Sequence, residues 1–188
     1  MMIAGIINPD LKKYKGEMVS EMAAAEKKPE LDALFDFILA DQAQNGALYF
    51  MASEQDLAIW LETALDFDRL GRKPFDHPRA FGSMARFLGY YVRDQKLMPM
   101  EEAIRKITSM PAHREHLDRR GLINVGFYAD ITVFDPAAII DEATYQDPNK
   151  LSNGVDCVLV NGQVEFEHGA LTGVKAGRAL RGQGWTGR

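Results

Sequence analysis

The sequence has one cysteine, Cys157, so no internal disulfide is available, and a disulfide-stapled scaffold is excluded in favour of a reducing compartment. Long hydrophobic runs are also missing. No stretch approaches the ~20 apolar residues that span a bilayer, which argues against a membrane protein. The apolar start at residues 1–8 is short and has no basic flank, so no signal peptide is expected and the chain should be cytoplasmic. Surplus positive charge is absent too. With 22 Lys and Arg against 27 Asp and Glu, the net charge of -5 disfavours nucleic acid as a partner. What remains is a 188-residue chain, 46% apolar and 26% charged, with the composition of a soluble globular protein and enough length to bury a core.

Residues 30–40, opened by Pro29, carry Leu31, Leu34, Phe35, Ile38 and Leu39 at helical spacing, which predicts a packing helix. Asn45-Gly46 ends it, and residues 47–51 (ALYFM) read as a strand buried on both faces. Ser53 with Glu54 and Asp56 signals the start of another helix, continued by Leu57, Ile59, Trp60 and Leu61. Residues 63–67 suit a second strand, parallel and adjacent to 47–51. The loop that follows holds Gly71, Pro74 and Pro78 and cannot stay helical. Two more helices are expected over residues 80–95 and 100–110, and the alternation of strand and helix implies a parallel α/β arrangement.

Beyond Gly121 the period changes to that of strands. Ile131, Val133 and Phe134 form one run, and residues 155–160 and 164–166 flank Asn161-Gly162, the strongest short-range hairpin signal. The Gly- and Arg-rich residues 169–188 should be extended or partly disordered.

The common local catalytic motifs are absent: no G-x-S-x-G, no P-loop and no H-E-x-x-H. His113 and His116 could share a helix face as two metal ligands would, but without a third ligand nearby they read as solvated residues at a helix end. Cys157, among apolar strand neighbours, reads as a buried structural thiol. The loop from Asp66 to Arg79, with His77 between them, has two readings. It is either a charged surface loop or the end of a barrel strand, where an α/β barrel places metal ligands and substrate-binding groups.

Three strings carry a family resemblance. HPRAFGSMARFLGYYVRDQKLMPMEEAIRKITSMPA, residues 77–112, resembles the HPR-x-[FWY]-G-[ST]-x-x-R-x-L-G-x-x-x-R segment of N-acyl-D-amino-acid deacylases, metal-dependent members of the amidohydrolase superfamily. RRGLINVGFYADITVFDP, residues 119–136, and VDCVLVNGQVEFEHGALTGVKAGRALRG, residues 155–182, resemble the superfamily's D-R-G…A-D-L-V-V-F-D-P and V-N-G-x-x-V…T-G…G-R-x-L-R signatures.

The resemblance implies an α/β fold class: the C-terminal strand-helix units of a metal-dependent hydrolase TIM barrel over residues 1–118, part of its small β-sandwich over 119–182, and a tail at 183–188. It implies hydrolysis of the amide bond of N-acyl-D-amino acids, with zinc as the cofactor of the complete enzyme. It makes Arg79 and His77 substrate-binding residues, the planar guanidinium of Arg79 being suited to a carboxylate. The family's metal-binding, proton-relaying aspartate lies eleven positions before the HPR arginine, and that offset falls on Asp68. The sequence there reads Phe67-Asp68-Arg69 where the family has [ST]-D-[GA], and Asp66 remains the alternative.

A (β/α)8 barrel needs ~250 residues, so a chain of 188 cannot hold barrel and sandwich together. The family's H-x-H pair, bridging cysteine and two later metal histidines have no counterparts here, because all four histidines lie after Lys73 and none forms H-x-H. Three readings follow. The chain is the C-terminal part of a deacylase, inactive alone and binding no zinc tightly by itself; or one half of a split enzyme with a complementary N-terminal barrel chain; or a non-catalytic binding module. A cut barrel leaves open edges and apolar faces, which also predicts self-association.

Overall fold

A computed structural model describes residues 1–63, 77–182 and 184–186. Two buried clusters organise them. In the first, α1 (Val19–Glu26) and α2 (Glu30–Ala40) pack as a pair, with Met22, Ala23, Ala33 and Phe37 closed against Ile3, Tyr14 and Val19. The helix predicted from Pro29 is therefore present with the expected bounds. Asp41, at its C-terminus, is fully buried and accepts the backbone N–H groups of Ile7 and Asn8 at 3.0 and 2.7 Å, which ties residues 7–8 to the helix end.

The strand expected over residues 47–51 is much shorter. Only β2 (Ala47–Leu48) forms, and it pairs antiparallel with β1 (Met2–Ile3); the parallel pairing expected with residues 63–67 falls largely outside the described residues. The ladder has just two residues to pair with, and Tyr49, Phe50 and Met51 are exposed instead of doubly buried. Thr63, expected to open a strand, ends α3 (Glu54–Thr63); residues 64–67 lie outside the described residues. The Ser53 start signal is correct: its Oγ accepts the Asp56 N–H at 3.1 Å, an N-cap bond.

The second cluster is built on α4 (Arg79–Arg86) and the π-helical turns that continue it over Phe87–Asp94. Phe87, Leu88, Tyr91 and Val92 pack with Leu61 of α3, Ala103 of α5 (Met100–Ile107) and Ile139. The helix predicted over 100–110 breaks at Thr108, whose φ of -127° and ψ of -83° are not helical, and restarts as α6 (Ser109–Arg114). Lys106, 5% exposed, donates to the carbonyls of Leu61 and Glu62 at 2.9 and 2.7 Å, so its ammonium caps the orphan carbonyls at the end of α3. His113 and His116 are both exposed, and His116 takes a left-handed φ of 52° past the end of α6.

Strands β3 (Ile131–Phe134), β4 (Val155–Val160), β5 (Gln163–Glu167) and β6 (Ala170–Leu171) form one antiparallel sheet in chain order. Asn161 and Gly162, with φ of 48° and 80°, make the predicted β4–β5 turn. Cys157 is half-buried rather than buried, because most residues of its strand keep partial exposure on both sheet faces. The residues after β6 are extended but held: Glu165 accepts the Ala176 N–H at 2.6 Å, Asn161 donates to the Ala176 carbonyl at 2.7 Å, and the Arg178 guanidinium stacks on Tyr128. Among the described residues no helix is long and apolar enough to cross a membrane.

Two contacts fix the helix over 79–94. Gly89 lies under the Ile139 carbonyl, where a side-chain carbon would overlap that oxygen. Arg93 donates to the carbonyls of Ala137 and Ile139 at 3.0 and 2.9 Å. Gly89→Ala should therefore lower stability by about 3 kcal/mol, while Gly177→Ala, at an open position, changes it by less than about 0.5 kcal/mol. The urea midpoints of the two variants check this.

Candidate functional site

A cleft of about 630 Å³ opens where the start of α4, the start of α3 and residues 141–146 meet. Its wall is apolar and aromatic, with Leu57, Leu61, Phe87, Phe50 and Tyr145. His77 and Arg79 both line it, so the structure brings together the two residues for which the resemblance implies substrate binding. His77 Nδ1 accepts the Arg79 backbone N–H at 3.1 Å, and its ring meets Tyr145 edge-on at 5.3 Å. Burial, reinforced by the nearby Arg79 charge, holds the imidazole below the usual histidine range and so keeps it neutral.

Arg79 is the first residue of α4 and exposed, with no ion-pair partner among the described residues. A cation at a helix N-terminus meets the positive end of the helix dipole, a local cost that a bound anion would offset. One helix face carries a second arginine seven residues on. The Arg86 guanidinium lies 3.9 Å from Glu54 and 3.8 Å from Asp141, and stacks over the Tyr90 ring at 4.7 Å. Tyr91 donates its hydroxyl to Glu54 Oε2 at 2.6 Å, and burial together with that bond pushes its phenol up to about 12. Gly82 lets Asp141 approach the helix where a Cβ would stand 2.9 Å from the aspartate Cβ. Arg86, itself 44% exposed, thus shares the cleft lining with two carboxylates, whereas Arg79 has no such partner among the described residues.

The amidohydrolase family model matches residues 71–166, about half of the chain. The chain belongs to the amidohydrolase family. Within that family it is similar to a D-aminoacylase of Alcaligenes xylosoxydans xylosoxydans, 37% identical over 171 residues that cover 89% of this chain and 34% of the relative. It superposes on a D-aminoacylase structure with a binuclear metal centre at a TM-score of 0.79 and 35% identity, covering 95% of this chain and 37% of that one. A third similarity is to N-acyl-D-glutamate deacylase from Bordetella bronchiseptica, solved with zinc and a phosphonate inhibitor that mimics the reaction's tetrahedral intermediate. There the TM-score is 0.76 and the identity 31%, with 90% of this chain and 35% of the other covered. The chain spans about a third of the length of the relatives it matches.

Asp68, the expected catalytic and metal aspartate of this amidohydrolase chain, and its alternative Asp66 lie outside the described residues. Among the described residues no three His, Cys, Asp or Glu side chains converge as metal ligands would, so those residues do not by themselves fit a zinc site. Glu54, Arg86, Tyr91 and Asp141 went unrecognised in the sequence. Arg86 had a signal, since it fills the second arginine of the HPR segment and falls two helical turns after Arg79. Glu54, Tyr91 and Asp141 had none, because their contacts join positions 37 and 55 residues apart.

The raised Tyr91 phenol has a measurable sign. Its folded value lies above the ordinary tyrosine value near 10, so the stability it contributes is complete below pH ~10 and is lost as the pH rises towards 12. Ultraviolet titration should show one of the six tyrosines ionising late, near pH 12, with Tyr91→Phe removing that phase.

Proposed function

We propose that this chain supplies the C-terminal barrel units (residues 1–118) and sandwich strands (residues 119–182) of an N-acyl-D-amino-acid deacylase, and that it is inactive alone. Arg79, at the mouth of an apolar cleft and without an ion-pair partner among the described residues, carries this proposal. An N-acyl amino acid has one fixed anionic group, its carboxylate, beside a variable and commonly apolar side chain. A guanidinium with two parallel donors grips the first, and an aromatic wall receives the second. Neutral His77, held by its bond to the Arg79 N–H, adds no competing charge and lies beside the same carboxylate.

In the reaction, water adds to the amide carbonyl, the C–N bond breaks, and the nitrogen leaves with a proton as the free D-amino acid while the acyl group becomes a carboxylate. The described residues contribute binding and orientation to that sequence. Zinc belongs to the assembled enzyme, in which Asp68 would be this chain's ligand and the rest of the barrel would supply the others. The proposal requires the barrel units that the relatives carry beyond the matched third, and a complementary chain is one partner that would supply them. Relatives about three times as long support it, because every one of them carries the additional segment.

The chain alone should release no amine from an N-acetyl-D-amino acid, and turnover should appear on reconstitution with the complementary segment. Arg79→Met in the reconstituted enzyme should raise KM about 10- to 100-fold with a smaller change in kcat, the loss of a charged hydrogen-bonded pair being worth about 1.5–3 kcal/mol. Amine-release kinetics over a range of substrate concentrations check both. Turnover by the isolated chain, or an unchanged KM, contradicts the respective assignment.

A further inference from the structure

Among the described residues two charged side chains are buried, Lys106 and Asp41, and each meets the C-terminal end of a helix. A helix ends in carbonyls that lack intrahelical partners and in the negative pole of its dipole, so a cation is favoured there and an anion is not. Lys106 follows that rule, its ammonium donating to the Leu61 and Glu62 carbonyls at the end of α3. Asp41 inverts it. Its carboxylate lies at the end of α2, a helix with no basic residue in its last turn. Oδ1 accepts the N–H groups of Ile7 and Asn8. Oδ2 is equally sealed from water and has no hydrogen-bond partner, the one buried side-chain oxygen or nitrogen among the described residues of which this is true. A buried carboxylate oxygen left bare at the negative end of a helix is costly. Because solvent is already excluded from it, no surface laid over the protein reaches it. Whatever satisfies Oδ2 is small enough to lie inside.

We propose that Asp41 Oδ2 is a ligand of a monovalent alkali cation, sodium or potassium, with main-chain carbonyls at the end of α2 completing its shell. The donor set selects the charge. Calcium and magnesium require roughly six or more oxygens, commonly including several carboxylates, and among the described residues no three His, Cys, Asp or Glu side chains come together. One carboxylate balances one positive charge, and carbonyl oxygens suffice to replace the water around an alkali ion. The Ala40 carbonyl is already turned towards the same segment, accepting Asn8 Nδ2 at 3.0 Å, and it keeps a second lone pair. The ion does for α2 what the Lys106 ammonium does for α3, and it strengthens the junction with residues 7–8 that Oδ1 holds from the other side. This inference is independent of the deacylase assignment.

The test is thermal unfolding of the full chain at neutral pH in sodium, potassium or choline chloride at equal ionic strength, choline being too large to enter. The midpoint should be about 3–5 °C higher in at least one alkali salt than in choline, the shift expected at an ion concentration about ten times its Kd. Asp41→Asn keeps the shape and the Oδ1 acceptor but removes the charge, and should reduce that difference to under ~1 °C. Asp32→Asn, an exposed acid of the same helix, should preserve it. Should Asp41→Asn fail to fold, crystals of the wild-type chain soaked in rubidium chloride give a second readout, an anomalous peak in contact with Asp41 Oδ2. Equal midpoints in all three salts overturn the proposal, as does a full alkali effect in folded Asp41→Asn or a rubidium peak found only elsewhere. A stability that rises on acidification identically in every salt, and loses that rise in Asp41→Asn, shows that a proton satisfies Oδ2 and also overturns it.

Discussion

Two missing side chains let one helix lie against one loop, and the cleft depends on that seating. At Gly82 and Gly89 the helix over 79–94 comes close enough to residues 139–141 that Cβ atoms would collide with Asp141 and with the Ile139 carbonyl. The same approach brings Arg93 within reach of the Ala137 and Ile139 carbonyls and places Asp141 beside Arg86. The two glycines and two of the three arginines of the HPR segment therefore have one task, which is to hold the helix so that its first residue, Arg79, opens into the cleft.

Electrostatics then separate the arginines. Arg86 has Glu54 and Asp141 at just under 4 Å and aromatic rings beneath it, so two carboxylates offset its charge although the side chain is 44% exposed. Arg93 is occupied by Asp94 and two carbonyls. Arg79 has no such ion pair among the described residues and stands at the helix end least favourable to a cation. Among the described residues two of these arginines meet carboxylates or carbonyls and the third faces the cleft beside His77, and the proposed carboxylate site rests on that arrangement. Lys106 contributes at a distance, by capping α3 from α5 and so fixing the helix that carries Glu54.

The openness of the molecule follows from the same construction. Two clusters are closed and well packed, yet α2, the residues after β2 and the faces of the four-stranded sheet keep apolar surface in contact with solvent. Burying such surface stabilises by roughly 25 cal/mol per Å², so it favours association whenever a complementary surface is offered. A segment that spans about a third of its relatives' length would be expected to show this pattern.

Local chemistry was enough to predict α2 from its apolar spacing, the start of α3 from Ser53, the helix through Phe81 to Val92, and the hairpin from Asn161-Gly162, since each is decided by contacts within a few residues. The pairing of His77 with Arg79 was legible for the same reason, both lying in one short motif. The family was legible because three motifs keep their order along the chain. Other features depended on which distant segments meet. The strand over 47–51 shortened to Ala47–Leu48, paired antiparallel with Met2–Ile3, and the helix after Pro99 broke at Thr108, where the next turn starts in a new direction. Glu54, Tyr91, Arg86 and Asp141 became neighbours only through packing across dozens of residues. The sequence by itself determined the local elements and the arginines of one short segment; the tertiary structure decided which carboxylates and carbonyls each of them meets among the described residues, because such contacts depend on distance in space and not along the chain.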